Sequence, residues 1–135
     1  MDTTATHRIV IIGAGYTGMF CAARLAYRTR RRNVRITLVN PSDRFIERLR
    51  MHQVAAGQEL QDFRIPELLQ KTRVSFVQAE ATSIDPEARR VTLDDGADLT
   101  YDTLVYALGS RTDTGAVPGA ADHAWTLNDP RRAHR

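Results

Sequence analysis

The chain has 135 residues, 42% of them hydrophobic and 26% charged, the make-up of one soluble globular domain large enough for a real core. No apolar run approaches the roughly 20 residues of a membrane-spanning helix, and the polar start, residues 1–6, lacks the basic and apolar regions of a secretory signal. A formal charge of +3 is only mildly basic, and a single cysteine, Cys21, excludes an internal disulfide framework, a CxxC pair and a multi-cysteine zinc site. Together these features predict a cytoplasmic protein without a metal centre.

Residues 8–12, Arg-Ile-Val-Ile-Ile, carry four β-branched apolar side chains in a row, which suits a strand buried on both faces of a parallel sheet. Gly13-Ala14-Gly15-Tyr16-Thr17-Gly18 follows at once. Beyond it Met19, Phe20, Ala22, Ala23, Leu25 and Ala26 recur at helical spacing to about Arg30. Cys21 falls among them and reads as a small buried hydrophobe. Arg28, Arg30, Arg31, Arg32 and Arg35 cluster at the end of this helix. A patch for nucleic acid or anionic lipid is one reading. The solvated end of a helix, where cations complement the dipole, is the other. The second is preferred, because no aromatic residues interleave as on a single-strand binding surface.

Residues 35–39 form a second strand, completing a strand–helix–strand unit within about 30 residues. In that setting the glycine turn acquires a mechanism. Gly13 permits the tight turn, Gly15 lets the backbone approach a pyrophosphate, and Gly18 lets the helix pack closely on the strand. The helix mouth offers free N–H groups and partial positive charge to the phosphates of a dinucleotide, and Thr17 adds a hydroxyl. A ribose-binding acid is expected about 20 residues on. Position 40, 22 residues beyond Gly18, is instead Asn. Asn40 can exchange a hydrogen bond with a ribose hydroxyl, or simply cap a turn before Pro41.

A helix is expected over residues 45–56, stopping at Gly57, then a short one over 66–71 opened by Pro66. Arg44, Arg48, Arg50 and His52 lie in this region, and Arg48 and His52, four apart, would share one helix face. Residues 74–79 read as a third strand. Residues 81–84 and 90–93, with turns at 85–88 and 94–96, suggest a small antiparallel meander. Residues 103–107 are one more buried strand closing at Gly109, with Tyr106 and the other aromatics read as core. Asn128-Asp129-Pro130 resembles a helix cap and first turn. His123 and Trp125 suggest no partners.

The glycine turn, Asn40-Pro41-Ser42-Asp43-Arg44-Phe45, and the stretch from Tyr101 to Ser110 together resemble the N-terminal FAD-binding part of the pyridine nucleotide-disulphide oxidoreductase superfamily, in its branch related to type II NADH dehydrogenases. The resemblance runs from His7 to about Pro130. It implies an α/β fold: a Rossmann-like FAD/NAD(P)-binding domain over residues 1–135, with a parallel sheet and a small antiparallel meander. This domain would be the N-terminal part of a larger architecture and would lack the usual C-terminal segment.

The resemblance further implies FAD as the cofactor and NAD(P)H as the reductant of full-length members. In that superfamily a strand ending in Ala-Thr-Gly meets the flavin nucleotide; here Ala107-Leu108-Gly109 stands in its place, without the hydroxyl. Asn40 takes the slot facing the adenosine ribose, and Ala81 the slot of main-chain bonds to adenine. The segment carrying Arg48 runs near the flavin, where a cation can stabilise the reduced anion; a solvated helix is the alternative.

Full-length members add a second nucleotide-binding domain and a returning strand that covers the sheet edge. With neither present, the chain is expected to be incomplete for catalysis. It also lacks the close cysteine pair of the disulfide reductases. The electron path implied is from reduced nicotinamide through flavin to quinone, oxygen or another small acceptor. Two readings stay open beside it. One is a noncatalytic nucleotide-binding or partner-binding module, as a dimer or with a complementing chain. The other is a plain NAD(P)-binding reductase domain, against which the meander argues. Nucleic acid is not an expected partner, and a membrane surface stays open as a partner without support in the sequence.

Overall fold

A computed structural model describes residues 5–124 and 126. The chain forms two compact units, Met1–Phe45 with Phe63–Leu108, and Ile46–Asp62 with Gly109–Arg135.

The first unit is built on four parallel strands: β1 (His7–Ile12), β2 (Val34–Asn40), β5 (Val74–Gln78) and β9 (Thr103–Tyr106), in the order β5-β2-β1-β9. Side chains alternate along β1, so its apolar run feeds two cores at once. Ile9 and Ile11 point into one core with Ala22 and Ala26 of α1 (Tyr16–Arg28) and Ile65 and Leu69 of α3 (Ile65–Leu69). Val10 and Ile12 point into the other, with Val39, Val91, Leu93 and Tyr101. That second face is roofed by the expected meander, the antiparallel sheet β6 (Ala81–Asp85), β7 (Arg90–Leu93) and β8 (Asp98–Thr100). Full burial of each such aliphatic side chain contributes about 1.5–3 kcal/mol, and Ile11, Ile12 and Leu38 are completely enclosed.

Helix α1 lies close on the sheet because its buried stripe, Gly18, Ala22 and Ala26, is small. It ends at Thr29, whose N–H and Oγ1 both donate to the Leu25 carbonyl (2.8 Å each). Cys21 is only partly buried against the first core, and its neighbour Phe20 is 71% exposed. The arginines after the helix face solvent, as expected, although the Arg30 guanidinium lies 4.7 Å over the Tyr27 ring.

Two expectations fail in this unit. The helix foreseen from Phe45 does not start there. Arg44–Phe45 is β3, paired antiparallel with β4 (Phe63–Arg64), and the Phe45 ring meets Tyr16 edge-on at 5.1 Å. Tertiary pairing overrides local helical spacing. Strand β9 is likewise not a buried strand and Tyr106 is not core. β9 stands at the sheet edge, paired with β1, and Tyr106 is 66% exposed.

In the second unit Met51 and Val54 form a small core with Ile46 and Leu60. A 3₁₀ turn, Arg48–Arg50, leads into α2 (Met51–Ala55), which gives way to Gly57 as foreseen. Arg48 and His52 therefore sit in different elements rather than on one helix face. A last helical turn, α4 (Ala120–His123), begins after Gly119. Trp125 and the foreseen cap at Asn128-Asp129-Pro130 lie outside the described residues.

Candidate functional site

The carboxyl ends of β1 and β2 build the site. Gly13 N–H donates to the Val39 carbonyl (2.9 Å), carrying the β1–β2 ladder one step into the turn. The chain then reverses with Gly13 at φ +98°, a conformation that favours glycine. A Cβ there would lie 2.3 Å from the Ala107 carbonyl oxygen, and one on Gly18 would lie 1.8 Å from the Gly13 carbonyl oxygen. Both glycines are thus dictated by the protein's own packing.

Gly15 differs. It precedes α1 at φ −75°, which any residue adopts, and a Cβ on it would meet nothing within 4 Å. No internal contact calls for glycine there; the space in front of it is open. Helix α1 starts behind that space. Its first intrahelical bond runs from Met19 N–H to the Gly15 carbonyl (2.9 Å), so the N–H groups of Tyr16, Thr17 and Gly18 precede the ladder. No side chain caps this end and no acidic residue lies in the first turn. Tyr16 and Thr17 are exposed. The mouth is a neutral group of backbone donors carrying the positive end of a 13-residue helix.

Asn40, the last residue of β2, is turned back on this turn. Its Oδ1 accepts from the Ala14 N–H (3.0 Å) and its Nδ2 donates to the Ser42 carbonyl (2.7 Å). The turn-capping role foreseen for it is present. Its bond to Ala14 lies beyond what sequence reasoning finds, because adjacency in space of residues 26 apart leaves no local signal. Ala107, just past the end of β9, closes the turn, its N–H donating to the Ile12 carbonyl (2.8 Å). So Gly13, Ala14, Gly15, Tyr16, Thr17, Gly18, Asn40 and Ala107 are gathered in one place.

Ala81 opens β6 opposite Leu93 and packs partly buried against the second core. It connects toward the site through the main chain, where Ala79 N–H donates to the Asn40 carbonyl (3.1 Å). Arg48 and Gly109 meet within the second unit. Arg48 Nη1 donates to the Ser110 carbonyl (2.9 Å), and Gly109, at φ +71°, leaves its Cβ position 3.8 Å from that nitrogen.

At the other end of the sheet a cavity of about 450 Å³ opens among Ala5, Thr6, His7, Arg8, Arg89 and Asp102. The charges of Arg8 and Asp102 are committed to each other. Arg8 donates to both Asp102 oxygens, from Nε and Nη2 at 3.1 Å each and from its backbone N–H at 2.7 Å. These bonds, the side-chain ones foremost, hold the Asp102 carboxyl well below the usual carboxylate range and raise the Arg8 guanidinium. Ligands of open parallel sheets bind outside the carboxyl ends of the strands, so the glycine turn, not this cavity, is the candidate site.

A strand, a glycine turn with one unfilled Cβ position, an uncapped helix mouth and a parallel second strand define a Rossmann-type nucleotide-binding fold. The sequence matches the pyridine nucleotide-disulphide oxidoreductase family over residues 6–134, and the chain belongs to that family. It is 33% identical over 125 residues to the type II NADH:quinone oxidoreductase of Staphylococcus aureus (strain NCTC 8325), covering 90% of this chain and 31% of that protein. The chain therefore spans under a third of the curated relatives it matches. Among solved structures, the sulfide:quinone oxidoreductase of Aquifex aeolicus superposes with a TM-score of 0.87 at 27% identity, over 95% of this chain and 30% of the other. NDH2 of Plasmodium falciparum in complex with NADH gives 0.80 at 20% identity, over 96% and 27%, a likeness of fold alone. Among the described residues no helix is long and apolar enough to cross a membrane.

Proposed function

We propose that this chain is the FAD-binding module of an NAD(P)H-dependent flavin oxidoreductase. The observation that carries the reading is the open Cβ position of Gly15 before an uncapped helix mouth. A dinucleotide pyrophosphate fits both features. It needs close backbone approach at Gly15 and unpaired N–H donors at Tyr16, Thr17 and Gly18. Ala107, just past the end of β9, would border the nucleotide, Asn40 the ribose side and the Ala81 main chain the adenine.

Bound FAD would supply the electron transfer between a reduced nicotinamide and an acceptor. Two of the relatives carry a quinone in their names, which supports a quinone over oxygen as that acceptor. The residues present would bind and orient that cofactor. Spanning 31% of the length of the Staphylococcus aureus relative, the chain alone is expected to hold FAD weakly and to lack turnover.

Gly15→Ala tests the reading. The new methyl enters open space, so stability changes by no more than about 0.5 kcal/mol. Affinity for FAD and ADP, followed by fluorescence quenching and calorimetry, falls roughly tenfold, or about 1.4 kcal/mol. Unchanged affinity in a folded variant would refute the assignment.

A further inference from the structure

We infer that Asn40 is a positioning residue for the phosphate-binding turn, acting on a nucleotide through Ala14 rather than by touching the ribose. The inference rests on the cofactor reading above and changes the part Asn40 plays in it.

The amide is engaged at both of its atoms. Oδ1 accepts from Ala14 N–H at 3.0 Å and Nδ2 donates to the Ser42 carbonyl at 2.7 Å. Ser42 in turn receives the Arg44 N–H on its Oγ (3.1 Å), so the fastening continues to the start of β3. On the turn side, Gly13 N–H is already taken by the Val39 carbonyl. The end of β2 thus consumes two successive turn donors, one through its backbone and one through a side chain. What remains for a phosphate are the N–H groups of the helix mouth, and the Asn40 bond fixes where Ala14, and with it Gly15, stands.

An amide is the one group of this size that can do both jobs. A carboxylate would accept from Ala14 but would turn a second lone pair toward the Ser42 carbonyl. Asn at this place is therefore not a weakened acid. It is a two-way tether whose shorter bond, to Ser42, an acid cannot make.

The test is a cycle between variant and ligand. Wild type, Asn40→Ala and Asn40→Asp are titrated with ADP and with 2′,3′-dideoxy-ADP at a temperature where each is folded. A residue acting through the turn weakens both ligands by the same factor, roughly fivefold to tenfold for the loss of one preorganising bond. A residue touching the ribose weakens ADP more and leaves the dideoxy ligand alone. In Asn40→Ala, equal loss supports the inference; unequal loss, or no loss, overturns it while leaving the cofactor reading intact. Wild type that binds neither ADP nor FAD overturns both.

Hydrogen exchange at the Ala14 amide gives a readout independent of any ligand, and its wild-type arm does not depend on a variant folding. Exchange is slow in wild type, remains slow in Asn40→Asp, which keeps the acceptor, and quickens in Asn40→Ala. A fast-exchanging Ala14 amide in wild type would by itself overturn the inference.

Discussion

Strand β1 is closed at its two ends by opposite means. At its start, Arg8 and Asp102 share three hydrogen bonds, Arg8 also donates to Thr100, and His7 and Thr103 share a bond of 2.9 Å. Side chains of β1 and of the segment entering β9 are stapled together, and their charges answer one another. At its end the turn is held by backbone atoms, one neutral amide and the absence of side chains, and donors are left over. The first end spends its hydrogen-bonding capacity on the fold; the second holds some back. That surplus, not polarity as such, separates an end with donors to offer from an end that only fastens.

Substitutions at the two ends should therefore fail differently. The largest effect on stability is expected from Gly18→Ala. Its methyl would be driven into the Gly13 carbonyl, a backbone atom that cannot step aside. Relieving the clash lifts α1 off the sheet at a cost of about 3 kcal/mol, the upper range for overpacking. Urea unfolding should show a lowered midpoint with an unchanged slope. A midpoint equal to wild type would mean that the helix does not lie as close as described.

At the stapled end the expected effect is a change in pH dependence. Asp102 has a folded-state pKa below its unfolded value, held there by Arg8. Its contribution is complete above the ordinary carboxylate range and drains away as pH falls through that range toward the folded value. Asp102→Asn should melt below wild type at neutral pH. The gap should narrow on acidification below about pH 4, where the unfolded carboxylate takes up its proton. A constant gap from neutral to acid would show that the pair contributes packing and not charge.

How readily each end can be read from sequence follows the same division. The glycine-turn end is legible, because its parts are consecutive: four β-branched residues, three glycines at fixed spacing, then a helical stripe. The parallel sheet and the meander come with it. Local periodicity does not show pairings made at a distance. It places Phe45 in a helix because the strand partner, Phe63, lies 18 residues on. Arg8 and Asp102 are 94 apart and carry no spacing signature at all. Tyr106 reads as core because a strand of Thr-Leu-Val-Tyr looks the same in the middle of a sheet as at its edge; only the strand order distinguishes them. Asn40 falls between the two cases. Its place at the end of β2 is visible, but the bond it sends to Ala14 depends on β1 and β2 being neighbours in register.

A smaller effect on stability than that of Gly18→Ala, and one of opposite sign, is expected from Thr17→Glu. Thr17 is exposed in the first turn of α1, where the helix has neither a capping side chain nor an acid. A carboxylate placed there meets the positive end of the dipole and should raise stability by about 0.3–1 kcal/mol, an effect that salt diminishes. The same carboxylate occupies the field that a pyrophosphate would use and repels it, so ADP and FAD affinity should fall roughly tenfold or more. Thr17→Ala, which loses the hydroxyl without adding charge, should change both quantities much less. The paired outcome, a protein that melts later and binds worse, is what a helix mouth reserved for an anion requires. If Thr17→Glu melted later yet bound ADP as wild type does, the donors at this mouth would not be the ones that hold the phosphates, and the contrast between the two ends of β1 would lose its functional meaning.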